Sequence, residues 1–238
     1  MSKIFDVSFM LSTVPEILSY LPVTLRIAFI SGVISLLLGF LIALVRFFRI
    51  RVLSPICKAY ISLMRGTPAM VQLLVAYYGI PIFLRGLNQQ FGTNLSVNGV
   101  PAEFFAIVAL SMNSAAFMSE TIRSAMLSVD AGQLEACYSV NMTTRQALTR
   151  VLLPQAFSVA LPPLGNSFIS LVKETSLVFN ISVVEIMAAA KIAGSRGYRF
   201  FEVYIVVAII YWVCCFLLER VISLVEKYIR RFERRAIR

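Results

Sequence analysis

Five ionisable residues stand in or beside long apolar runs: Arg65, Glu120, Arg123, Lys173 and Glu174. A charged side chain at the centre of a bilayer costs roughly 2.5–3.5 kcal/mol on insertion scales, so such groups face a partner or an aqueous cavity. The chemistry open to them is recognition of a zwitterionic solute, with one carboxylate and one cation exposed together. A plainer role stays open beside it: Arg65 and Arg123 as anchors that snorkel to the headgroups, and Glu120 with Arg123 as an i,i+3 pair that neutralises itself. Lys173 and Glu174 are adjacent and so project on different sides of a helix. Prolines extend the set. Pro68, Pro162 and Pro163 free backbone groups that have to be satisfied within protein or a cavity. Near them lie Thr67, Gln72, Asn166, Ser167, Ser170, Thr175 and Ser176, which either line a path or link helices through hydrogen bonds.

Catalytic chemistry has little to work with. The chain has no histidine, which removes a His-ligated metal and a His general base. Cys57, Cys137, Cys214 and Cys215 lack Cys-x-x-Cys spacing and read as reduced packing residues. Neither a Gly-x-Ser-x-Gly elbow nor a phosphate-cradling Gly-x-x-x-x-Gly-Lys-[Ser/Thr] loop occurs. No enzymatic activity, metal or bound cofactor is expected of this chain, and ATP hydrolysis would have to take place on a partner.

The elements that position these residues are set by composition. Of the 238 residues, 59% are hydrophobic and 14% charged, with a mean hydropathy of +0.83, well outside the range of soluble domains. An all-α polytopic membrane protein of about five transmembrane helices follows, since each crossing takes ~20 residues. The approximate spans are 24–46, 56–84, 104–127, 151–173 and 203–220. Pro68 is expected to kink the second, and the prolines at 154, 162 and 163 to break the fourth. Asn88 to Pro101 reads as a loop outside the membrane. Residues 175–198 read as an interfacial or re-entrant element, and 221–238 as a basic amphipathic tail on the inner face. Asp6 and Glu16 interrupt the N-terminal segment, so no cleavable signal is expected. The net charge of +10 is assigned to the membrane rather than to nucleic acid. Thirteen basic residues fall on the side holding Arg46 to Lys58, the loop 128–150 and the C-terminus, and five, including Lys3, on the other. The positive-inside rule then places the N-terminus outside and the C-terminus in the cytoplasm.

The loop 128–150 carries the most information. Gln133 to Val140 can form a short helix, Asn141 can take the left-handed conformation that ends it, and Thr143 with Gln146 has capping-box spacing for a second helix. Glu135-Ala136-Cys137, three residues, Asn141, nine residues, Val151, one residue and Leu153-Pro154 resembles the cytoplasmic signature loop of binding-protein-dependent ABC importer permeases. That pattern is Glu-Ala-Ala-x3-Gly-x9-Ile-x-Leu-Pro, and this chain departs from it mildly at Cys137, Asn141 and Val151. Gly132-Gln133 before the signature, Arg65-Gly66-Thr67-Pro68, Ser119 to Arg123, Pro154-Gln155-Ala156, Leu161 to Asn166 and Lys173 to Leu177 are similar to the polar amino-acid branch of that family.

The resemblance implies one transmembrane permease domain over 1–238, with a coupling helix between spans three and four, in a bacterial cytoplasmic membrane. It implies a second permease, identical or homologous, an ABC ATPase dimer carrying ATP and Mg, and an extracytoplasmic substrate-binding protein. Gly132, Gln133, Glu135, Ala136, Cys137, Asn141, Leu153 and Pro154 would couple the ATPase to the membrane. The cargo would be a polar or charged amino acid, or cystine. An ion-coupled secondary transporter of small polar solutes is the competing reading; it too needs intramembrane charge, but not the lever from Glu135 to Leu153.

Overall fold

The computed structural model describes residues 5–94 and 99–236, with side chains as far as 229. Lys3, Leu95 to Asn98 of the expected loop, and the side chains of the last tail arginines therefore lie outside the described residues. The fold is all-α. The helices are α1 (Val7–Leu18), α2 (Leu21–Phe47), α3 (Leu53–Gly66), α4 (Ala69–Phe91), α5 (Ala102–Leu127), α6 (Ala131–Ser139), α7 (Thr144–Ala147), α8 (Leu153–Glu174), α9 (Ile186–Gly197) and α10 (Phe200–Ala236). A π-helical turn, Leu148–Leu152, leads into α8, and a 3₁₀ segment, Thr175–Ile181, leaves it. Helices α2, α4, α5 and α10 are long and apolar enough to cross a membrane, and α8 and α9, bent by 52° at the break between them, make either a fifth, broken span or a re-entrant loop.

Three contacts fix the topology. Arg26 pairs with Glu103 at 2.7 Å, Ser35 Oγ donates to the Ser111 carbonyl at 3.1 Å, and Arg46 pairs with Glu120. They advance together along both helices, so α2 and α5 run parallel. Two parallel neighbours need a return crossing between them, and the 23 residues of α4 supply it at ~1.5 Å per residue. Helix α8 then runs antiparallel to α5: Ala156 packs with Ile122 near one end, while Leu171 packs with Phe105 near the other.

The central α2–α5 contact depends on small residues. Thr24, Ala28, Ser31, Gly32, Ser35, Gly39 and Ala43 make up the buried face of α2 with Ile27, which lets two backbones approach closely without a large side chain between them. A Cβ on Gly39 would lie 3.2 Å from the Ala115 carbonyl oxygen, from Met118 Cβ and from the Ser119 nitrogen. Two of these are backbone atoms, so nothing there can swing away. Gly39→Val is therefore expected to destabilise by about 1–3 kcal/mol through overpacking, read as a lower thermal unfolding midpoint in detergent. An unchanged midpoint would mean that the two helices can part at no cost.

Several boundaries differ from the sequence expectation. The second run is broken rather than kinked: Thr67 is extended and α3 and α4 are separate helices, because proline biases its predecessor out of the helical region. Helix α4 continues through Asn88 to Phe91 and closes on Gly92 at φ +65°, so the loop begins later than composition suggested, at a glycine that accepts the left-handed conformation. Pro162 and Pro163 do not break α8, whose flanking rungs hold the helix through them. The interruption comes instead after Thr175, where Ser182 at φ +65° ends the 3₁₀ segment and Glu185 caps α9. The tail is no separate element: α10 continues as one helix through to Ala236. Helix α1 was not anticipated. Asp6 caps it by accepting from the Phe9 N–H at 3.1 Å, and that bond, with Ser8 and Arg199 nearby, holds the Asp6 carboxyl below its ordinary range. Ile17 of α1 is buried against α9 and α10.

Candidate functional site

Two features stand apart from ordinary helix packing. The first is the loop joining α5 to α8. Asp130 accepts from the Gly132 N–H at 2.7 Å and starts α6. Asn141 ends it at φ +59°. Thr143 and Gln146 then close a reciprocal capping box, with Thr143 N–H donating to Gln146 Oε1 at 2.8 Å and Gln146 N–H to Thr143 Oγ1 at 3.3 Å. Cys137 is buried and Leu134, Leu148, Leu152 and Leu153 pack on Ile122 and Met126 of α5, so the inner face of the loop is tied to the transmembrane helices. Its outer face carries Gln133, Glu135, Ala136, Tyr138 and Val140, all exposed, Val140 to 72%. Pro154 lies in the first turn of α8, directly after the π-helical turn.

The second feature is a polar pocket of about 290 Å³ between α5 and α8, lined by Asn113, Ser114, Phe117, Asn166, Ser167, Ser170 and Glu174. Both helices contribute residues at one-turn spacing, 113 with 117 and 166 with 170 and 174, which is one face of each. Of the expected pathway residues, Asn166, Ser167, Ser170 and Glu174 come together here. Asn113 and Ser114 were missed, although an Asn-Ser pair inside an apolar run is the same signal that marked Asn166 and Ser167.

The other candidates lie elsewhere. Gln72 and Thr67 hold the α3–α4 break together. Pro68 has no N–H to offer the Met64 carbonyl, and Gln72 Nε2 donates to that oxygen at 2.8 Å and to Thr67 Oγ1 at 2.8 Å. Asn113 Nδ2 in turn donates to Gln72 Oε1 at 2.9 Å, so the break is joined to the pocket wall. Arg65 stands over the Phe117 ring, 5.4 Å from its centroid. Glu120 pairs with Arg46 across α2 and α5, a correction to its expected pairing with Arg123, since the helix beside it offers a closer cation than its own next turn. Lys173 is exposed outside the pocket. Thr175 is buried, donating to the Val172 carbonyl at 2.7 Å, and Ser176 Oγ donates to the Lys173 carbonyl at 2.7 Å.

Glu185 was not among the candidate site residues. Glu185 is fully buried and accepts from the N–H groups of Met187 and Ala188 at 2.8 and 3.1 Å, from Tyr211 Oη at 3.0 Å and from Thr24 Oγ1 at 3.4 Å. Four donors from three helices make it a structural tie of α2, α9 and α10 rather than a group facing a ligand.

Known proteins share the fold. The chain is 43% identical over 217 residues to a probable amino-acid ABC transporter permease protein, PatM, of Vibrio harveyi, covering 91% of this chain and 93% of that one. It is 39% identical over 210 residues to the L-cystine transport system permease protein TcyB of Bacillus subtilis strain 168, covering 88% and 84%. A crystal structure of an amino acid ABC transporter with histidines superposes with a TM-score of 0.79 at 36% identity, covering 95% of this chain and 100% of that one. Residues 35–231 match the binding-protein-dependent transport system inner membrane components, and the chain belongs to that family, as a multi-pass permease subunit of an ABC importer in the inner membrane.

Proposed function

We propose that this permease carries a polar or charged amino acid, or cystine, through the pocket between α5 and α8, driven by a separate ATPase dimer seated on the loop 128–153. The observation that carries the reading is the double-sided loop. Leu152, buried, and Leu134, Leu148 and Leu153, half-buried, pack against α5 and α8, and its exposed face presents Glu135, Tyr138 and Val140. A push on that face moves the two helices whose side chains line the pocket. Glu174 is the pocket's one carboxylate and Arg65 stands at its wall, over the Phe117 ring, a complement to ammonium and carboxylate groups. Relatives named for amino-acid and L-cystine transport support that cargo.

A second permease, identical or homologous, completes the path. Leu73 is the one buried residue of α4, and a cleft of about 420 Å³ with apolar walls opens between α3, α4 and α5; a membrane-crossing helix so little covered suits a partner of the same class. An extracytoplasmic binding protein delivers the substrate to the end holding Arg26, Glu103 and Arg196. The basic residues at the opposite end, with the loop, support a cytoplasmic position for that end and for the C-terminus.

The test is affinity purification of the tagged chain from native membranes, followed by mass spectrometry and an ATPase assay with binding protein and candidate amino acids. Co-purification of an ATPase stimulated by an amino acid is the expected result. A chain that purifies alone and transports on an ion gradient without ATP would overturn it in favour of a secondary transporter.

A further inference from the structure

At the end of the molecule that bears the α5–α8 loop, five cations converge on a single cavity. Arg46 closes α2, Arg49 and Arg51 lie in the turn to α3, Lys58 stands on α3 and Arg123 comes from α5; with Ser54 and Pro55 they line a space of about 480 Å³. Among the described residues lining it, none is acidic. The adjacent carboxylate, Glu120, is already engaged by Arg46. The Nε atoms of Arg46 and Arg123 are buried and, among the described residues, have no hydrogen-bond partner. A buried guanidinium N–H without an acceptor is costly. Like charges gathered around a concavity are costly too, unless an anion fills it.

The surroundings show which kind of anion. Phe48, Ile50, Val52, Leu53 and Ile56, interleaved in the chain with the lining residues Arg49, Arg51, Ser54 and Pro55, are all large, apolar and exposed, Val52 to 69%. Soluble anions gain nothing from such a rim, whereas a phospholipid sets its phosphate among the cations and its acyl chains against the apolar side chains. We infer that this cavity is a binding site for the phosphate of an anionic phospholipid in the leaflet on the loop side of the membrane. General attraction of basic residues to a charged surface needs no cavity and no convergence of three separate segments, and this site has both. Arg123 lies one turn before the end of α5 at Leu127, so an occupied site also braces the root of the α5–α8 loop.

The inference rests on the membrane placement and not on the substrate or the ATP-driven reading, so its failure leaves those untouched. The test takes the chain with the subunits that co-purify, delipidates it, and titrates it with phosphatidylglycerol, phosphatidylcholine or inorganic phosphate, reading occupancy by native mass spectrometry. The variant Arg49→Asn/Arg51→Gln/Lys58→Gln removes three exposed cations and leaves the Arg46–Glu120 pair intact. Asparagine is used at 49 because that residue sits at φ +52°, a conformation it tolerates. The charge-matched variant Arg145→Gln/Arg150→Gln/Lys227→Gln neutralises three exposed cations elsewhere on the same side.

The expected result is retention of phosphatidylglycerol by the wild type and the charge-matched variant, and affinity weaker by about tenfold or more in the cavity variant. If that variant fails to assemble, Lys58→Gln alone is expected to weaken binding about fivefold. Equal binding of phosphatidylcholine, or unchanged affinity in the cavity variants, overturns the site. Binding of inorganic phosphate with no retained phosphatidylglycerol assigns the cavity to a soluble anion and overturns the lipid assignment. Loss of phosphatidylglycerol whenever a partner subunit assembles shows an acidic protein side chain in its place and overturns it equally.

Discussion

Glu135→Arg is expected to abolish ATP-driven uptake while the chain still folds and inserts. Glu135 is exposed on α6, and its neighbour Leu134, not Glu135 itself, packs with the membrane helices, while Cys137 is buried. The substitution therefore leaves the packing alone and reverses one charge on the face proposed to meet the ATPase. Removing one member of a hydrogen-bonded charge pair at an interface costs about 2–5 kcal/mol, or about thirtyfold and upwards in affinity, and reversal adds repulsion. Two readouts separate this from misfolding: the variant's unfolding midpoint stays with the wild type, and the ATPase no longer co-purifies. Uptake at the wild-type rate would remove α6 from the coupling path.

Glu174→Gln has the second largest expected effect. Asn113, Ser114, Asn166, Ser167 and Ser170 give the pocket neutral donors and acceptors, and Glu174 alone gives it a carboxylate. Hydrogen bonds to a charged group contribute about 1.5–3 kcal/mol, so losing the one to a substrate ammonium weakens uptake roughly tenfold to a hundredfold. Glutamine keeps the size and loses the charge. The change is expected in the substrate concentration needed for half-maximal uptake, with the ATPase still bound and its basal hydrolysis retained. Wild-type concentration dependence in the variant would show that the pocket recognises its cargo without charge, or does not recognise it.

The two predictions rest on residues that were visible in the sequence to different degrees. Glu135, Asn141 and the Thr143–Gln146 box were legible because capping and the left-handed turn are settled within four or five residues of chain. Glu174 was legible as a charge beside an apolar run, but its company was not. A helix period says which residues share a face and leaves open which helix that face meets. Lys173, Thr175 and Ser176 were candidates alongside Glu174, while the fold turns Lys173 outward, buries Thr175 against the Val172 carbonyl and brings Asn113 from about sixty residues away. The Glu120 pairing shows the same limit: Arg123 is close in sequence, but Arg46 is closer in space.

By itself the sequence determined the class of solvent, the all-α content, the main apolar runs and the capped turn of the α5–α8 loop. Each of these follows from transfer of side chains out of water or from backbone bonds between near neighbours. Only the tertiary structure decided the parallel pairing of α2 with α5, the four donors on Glu185 from three helices, the break at Thr67 stitched by Gln72, and the gathering of Arg46, Lys58 and Arg123 around one cavity. Lipid and protein interiors are equally apolar, so hydrophobic pattern alone cannot orient one membrane helix against another. Close packing of small residues such as Gly39 and the pairing of polar groups set those orientations, and both depend on contacts between residues far apart in the chain.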